Sequence, residues 1–129
     1  MTKTIAFSWS LILIAATVDV IAVLVIKNRI NFLGPVKFTS ILDTINYAVN
    51  IIATPKTFLA AVFFFISPIL FAFAISRINL SSAYPVAIGI TTIALTIGSV
   101  IFLSENISHG KILGILTIIF GIFLVYLNN

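Results

Sequence analysis

Asp19, Asp43, Glu105 and His109 supply all the carboxyl and imidazole chemistry in this chain of 129 residues. Asp19 stands apart from the other three. It is the only charged residue inside an apolar run from Ile5 to Ile26. An ionised carboxylate at the centre of a membrane helix costs roughly 2.5–3.5 kcal/mol, and intramembrane acids mark functional sites by default. A carboxyl group held away from water can take up and release protons near neutral pH. The chemistry this predicts is an exchange site where a proton and a substrate compete. Ala15, Ala16 and Ala22 lie about one helical turn away and leave room beside the carboxylate. The competing reading is a helix-packing hydrogen bond, or a pairing with a lysine of a partner chain.

The other candidates are weaker. Tyr84, with Pro85, opens the third apolar run, where its phenol either anchors the membrane interface or lines a cavity. Trp9 has the same two roles open to it, the aromatic belt being the commoner. Thr92, Thr96 and Ser99 form a mildly polar face whose hydroxyls are expected to bond their own backbone one turn back. Gly110, Gly114 and Gly121 are spaced by four and seven, which puts them on one helix stripe where two backbones can approach. Zero cysteines exclude a disulfide framework, a thiolate zinc site and thiol redox chemistry. No nucleophile–base pair and no metal set can be assembled, so the sequence argues against an enzyme and calls for no metal and no cofactor.

The elements that must position these groups follow from composition. Hydrophobic residues make up 61% of the chain and charged residues 8%, against roughly 45–50% and about 25% in soluble domains. The charges are too few to cover a water-exposed surface, which makes this an all-α membrane protein. A spanning helix needs about 20 apolar residues. Four runs qualify, at about 5–26, 55–76, 82–104 and 110–127, forming one four-span domain over 1–129. Thr54-Pro55 reads as cap and first residue of the second span, and Pro68 predicts a kink within it. Between the first two spans, after Gly34-Pro35, the stretch at about 36–52 changes character. Phe38, Ile41, Leu42, Ile45, Val49 and Ile52 recur at helical spacing opposite Lys37, Asp43, Asn46 and Asn50. That pattern predicts a short amphipathic helix in the membrane interface.

Net charge is +4, but the basic residues stand singly between apolar runs, so they form no nucleic-acid patch. Lys27, Arg29, Lys37, Lys56 and Lys111 fall on one side of the four spans and Lys3 and Arg77 on the other. That bias predicts a multi-pass protein of the cell inner (plasma) membrane with both termini outside.

Four short spans, an acid in the first and an alanine-tyrosine opening to the third resemble the small multidrug resistance proteins. The resemblance extends to their EamA-like relatives in the drug/metabolite transporter superfamily. It covers the first span and the chain from about Phe58 onward. Val18-Asp19-Val20 through Ile26-Lys27 is similar to the family's membrane acid followed by a lysine at the helix end. Asp19 falls where the family carries the glutamate that binds protons and cations alternately. Ile78 through Tyr84 resembles the approach to the third span, with Tyr84 at the binding-site tyrosine, and Gly114 and Gly121 match the glycines of the dimer-forming fourth helix. The acid is Asp rather than Glu, and Ala87 replaces a tryptophan of the family. Ala83-Tyr84-Pro85 looks more like the relatives that flip undecaprenyl-phosphate-linked aminosugars.

The resemblance implies a secondary transporter, a homodimer or a paired heterodimer, exporting a cationic or amphipathic small molecule against protons. Asp19, Tyr84, Ala15, Ala22 and Trp9 would form its site, with membrane lipid as its surroundings. The alternatives are a flippase, or flippase subunit, for a lipid-linked aminosugar, and a non-transporting membrane subunit of a larger complex.

Overall fold

The computed structural model describes residues 2–36 and 40–127. It consists of α1 (Thr2–Leu33), α2 (Ile41–Ile52), α3 (Pro55–Ile75), α4 (Leu80–Leu103) and α5 (His109–Leu127). No strand occurs among the described residues. α1, α3 and α4 are long and apolar enough to cross a membrane, while the apolar stretches Ile41–Ile52 and His109–Leu124 are shorter.

The helix limits follow from local chemistry. Nothing between Ile26 and Leu33 breaks a helix, so α1 runs on past the limit set by hydropathy and ends only at Gly34. There φ is +80°, a conformation that glycine adopts without strain. Its 32 residues span about 48 Å, longer than a hydrocarbon layer of about 30 Å. The amphipathic helix is correspondingly shorter than the 36–52 stretch. Val36 is not helical, Lys37 and Phe38 lie outside the described residues, and Ser40 caps α2 by accepting from the Leu42 N–H at 3.2 Å. Thr54 and Pro55 start α3 as the sequence predicts, and the helix continues through Pro68. Asn79 accepts from Ser82 and Ala83, which starts α4 at Leu80 rather than Ser82. Ser104, at φ +53°, ends it.

The interior is built from small side chains and the exterior from large ones. Ala15, Ala16, Ala22, Ala60, Ala74 and Ala83 are buried, whereas Phe7, Phe65, Phe73 and Phe102 are exposed. A soluble core would invert this. In lipid, helices gain little by hiding large apolar groups and associate through close backbone approach and interhelical hydrogen bonds. α1 is the central helix, packed along both α3 and α4, and α5 packs chiefly on α4. The buried Ser67 hydroxyl donates to the Ala15 carbonyl at 3.0 Å, and Ala74 and Ala83 close on Ile12. These pairings make α3 antiparallel and α4 parallel to α1. The Lys27 end of α1 therefore shares one end of the molecule with the start of α3, the end of α4 and the start of α5.

α2 is tied back to α1. The Arg29 guanidinium donates twice to the Asn50 carbonyl, at 3.2 and 3.3 Å, and lies 5.4 Å over the Phe32 ring. The Tyr47 hydroxyl donates to the Gly34 carbonyl at 2.6 Å. Ile41, Leu42, Ile45, Val49 and Ile52 are left exposed along the helix.

Candidate functional site

Asp19 lies in a cleft of about 250 Å³ between α1, α3 and α4. Helical periodicity builds each wall. Ile12, Ala15, Ala16 and Asp19 follow one face of α1, and Tyr84, Ala87, Ile88 and Thr91 follow one face of α4. α3 contributes Ser67, Pro68 and Phe71. The Ser67–Ala15 hydrogen bond fixes α3 against α1 one turn from the acid, since the Ala15 carbonyl is also the helical acceptor for the Asp19 N–H.

The Asp19 carboxylate is half-buried and has no hydrogen-bond or ion-pair partner among the described residues. Neither does the Tyr84 phenol, which is 55% exposed. The Phe71 ring meets the Tyr84 ring edge-on at 6.2 Å, making an aromatic wall in the same cleft as the acid. Thr91 donates to the Ala87 and Ile88 carbonyls, both at 3.0 Å, and so offers the cleft only lone pairs. One carboxylate and two aromatic rings among mostly apolar walls, with the Ser67 and Thr91 hydroxyl protons already given to backbone carbonyls, suit an organic cation or an amine. The carboxylate attracts the charge, and the ring faces add cation–π attraction.

Of the residues picked out by sequence, the structure brings together Asp19, Tyr84 and Ala15, with Ala16 beside them. Ala22 is fully buried and does not line the cleft. Trp9 packs against the Ile12–Ala74–Ala83 cluster instead. Phe71, which the sequence places with Phe63, Phe64, Phe65 and Phe73 in an aromatic cluster expected to be lipid-facing bulk rather than a cation cage, lines the cleft instead, and Ser67 was missed. A serine in an apolar run carries no local signal, and the place of both residues depends on the α1–α3 pairing. Thr91, rather than its neighbour Thr92, faces the cleft. Thr96 and Ser99 bond the carbonyls of Thr92 and Thr96 at 2.7 and 3.0 Å, as expected of hydroxyls within a helix.

The glycines divide into two kinds. A Cβ at Gly98 would lie 2.5 Å from Leu24 Cδ1, and one at Gly89 would collide with Ile122, so these two let α4 approach α1 and α5. Gly110, Gly114 and Gly121 have nothing within 4 Å of a Cβ, so within one chain their spacing serves no packing. Among the described residues, no group of His, Cys, Asp and Glu could hold a metal ion. No family model, curated protein or solved structure matches the chain.

Proposed function

We propose that the chain is a secondary transporter of four spans, with α5 as the fourth, that works as a dimer and exchanges protons for a cationic or amphipathic small molecule at Asp19. The observation that carries this reading is the unpartnered Asp19 carboxylate in a cleft whose other walls are mostly apolar and aromatic. A packing role for the acid would require a partner within the bundle, and none occurs among the described residues. Tyr84 and Phe71 provide the surface for an apolar cation, and Ala15, Ala16 and Ala87 provide room.

The dimer follows from the cost of leaving a half-buried carboxylate facing lipid, which a second copy would relieve by closing the cleft. The open stripe of Gly110, Gly114 and Gly121 is the surface we assign to that contact. In this arrangement the end carrying Lys27, Arg29, Lys56 and Lys111 is cytoplasmic in the inner membrane and both termini are outside.

The test is proton release from purified protein in weak buffer on adding a hydrophobic phosphonium cation, with wild type beside Asp19→Asn. Release from wild type alone supports a shared proton and cation site. Absence of release from both folded proteins refutes proton-coupled cation binding. It would favour the second reading, a flippase for a lipid-linked aminosugar, in which Asp19 meets the sugar's amino group. Ala83-Tyr84-Pro85 and the small Ala87 are the residues that favour it.

A further inference from the structure

A second cleft, larger than the one that holds Asp19, shares none of its lining residues. About 530 Å³ opens where α1, α4 and α5 converge at the basic end, within the usual range of about 300–1,000 Å³ for ligand pockets. Each helix gives it a stripe at helical spacing: Val23 and Lys27 from α1, Ser99 and Leu103 from α4, Lys111 and Ile115 from α5. Its three charged lining residues all come from the basic end of the helices. Lys27 ends the α1 stripe, Lys111 begins the α5 stripe, and Glu105 with Asn106 comes from the turn between α4 and α5. No ion pair joins Glu105 to either lysine among the described residues. Deeper in, the walls are aliphatic, and Ser99 has already given its hydroxyl proton to the Thr96 carbonyl.

The cleft thus offers two cations and one anion at a helix end, above an apolar slot. α5 packs chiefly on α4, so this slot is also the gap between α1 and α5. A soluble zwitterion would satisfy the charges and leave the aliphatic walls wet. A purely anionic lipid would fill the slot and set its phosphate beside Glu105. A lipid carrying both signs satisfies every group. We propose that this cleft binds an aminophospholipid of the ethanolamine type. Its phosphodiester lies between the Lys27 and Lys111 ammonium groups, its primary ammonium donates to the Glu105 carboxylate, and an acyl chain lies along Leu103 and Ile115. Lysines that flank apolar runs reach lipid phosphates by extending their side chains, and Lys27 closes the apolar run of α1 while Lys111 lies in the first turn of α5. The site is separate from the Asp19 cleft and does not depend on the transport reading.

The test is native mass spectrometry of delipidated full-length protein with equimolar phosphatidylethanolamine, phosphatidylglycerol and phosphatidylcholine of matched acyl chains. Wild type is expected to retain the ethanolamine lipid in preference to both others. The Lys27→Gln/Lys111→Gln pair is expected to lower its retention about thirtyfold. Glu105→Gln is expected to keep phospholipid binding and lose the preference. Equal retention of the three lipids by wild type overturns the proposal without recourse to any variant. So does unchanged retention in the double lysine variant, or an ethanolamine preference that survives Glu105→Gln. Displacement of the lipid by millimolar inorganic phosphate would make the cleft a soluble-anion site and overturn it equally.

Discussion

Asp19→Asn distinguishes a working carboxylate from a structural one through stability alone, before any transport is measured. Breaking a buried ion pair by removing one partner costs about 3–5 kcal/mol. Leaving a buried hydrogen-bond partner unsatisfied costs about 1–3 kcal/mol. The Asp19 carboxylate has neither kind of partner among the described residues, so neither loss applies. What the substitution removes is the penalty of an ion in a helix interior, at most about 2.5–3.5 kcal/mol and less here because the group is only half-buried. Asparagine is nearly isosteric, so Ala15, Ala16 and Ser67 need not move. The expected result is a protein as stable as wild type, or more stable by up to about 1–2 kcal/mol. The assay is reversible unfolding in mixed micelles with increasing dodecyl sulfate, followed by far-UV circular dichroism, with cation-induced proton release measured on the same samples. A loss of 1 kcal/mol or more would show that the carboxylate holds the structure together, and the exchange reading would fall even if proton release were also lost.

Four other outcomes follow from the packing. Ser67→Ala removes the bond to the Ala15 carbonyl but leaves that carbonyl its helical donor, so unfolding in the same micelles should show a loss near 0.6 kcal/mol, the average for such membrane hydrogen bonds. Gly98→Ile should cost about 1–3 kcal/mol in that assay, because even its Cβ falls 2.5 Å from Leu24 Cδ1 and 3.2 Å from Cδ2. A Cβ at Gly121 meets nothing within 4 Å, so Gly121→Ile should leave the unfolding curve of the monomer unchanged while abolishing a chemically cross-linked dimer in membranes. Arg29→Ala frees a carbonyl near the C-terminal end of α2, and hydrogen exchange over residues 41–52 should accelerate several-fold, in keeping with about 1 kcal/mol for a charge-assisted cap at an exposed helix end.

Much of the helix order was legible in the sequence because apolar runs, caps and breakers are local signals. Thr54-Pro55 and Gly34 mark their helix boundaries by residue chemistry alone. The length of α1 was not legible from hydropathy. Lys27, Asn28 and Arg29 end an apolar run without ending a helix, since hydropathy reports the solvent a residue prefers and not the backbone it can adopt. The start of α2 was set too early for a related reason: periodicity carried the pattern back to Val36, whereas Ser40 caps the helix. Asp19, Tyr84 and Ala15 could be found because an acid in an apolar run and a tyrosine at a span's opening are anomalies in their own segments. Ser67 looks ordinary in its segment and Phe71 belongs to an aromatic cluster that reads as lipid-facing bulk, and only the antiparallel pairing of α3 with α1 brings them to the cleft. The glycines show the same limit. Gly89 and Gly98 contact other helices and Gly114 does not, and spacing along one helix cannot distinguish them.

The two clefts share the walls α1 and α4, and their order along those helices constrains how an Asp19 site would work. Asp19, Val23 and Lys27 are successive positions on one face of α1, so the acid and the lysine are about 12 Å apart along the axis. On α4 the stripe from Tyr84 through Ala87, Ile88 and Thr91 continues to Leu95, Ser99 and Leu103, joining the lining of the one cleft to that of the other. Leu24 lies against Gly98 on the way. A cation leaving Asp19 towards the basic end meets that leucine and then two lysines against one glutamate, a net repulsion in surroundings where screening is weak. Towards Tyr84 it meets Phe71, Pro68 and no charged lining residue. For a cationic substrate, the charges of these linings therefore favour exchange at the Tyr84 side of the acid. An aminophospholipid in the larger cleft would cancel the repulsion with its phosphate and fill the space beyond Leu24 with an acyl chain. Chemistry at Asp19 and lipid at Lys27 would then be coupled through Leu24 and Gly98, the pair that Gly98→Ile disturbs.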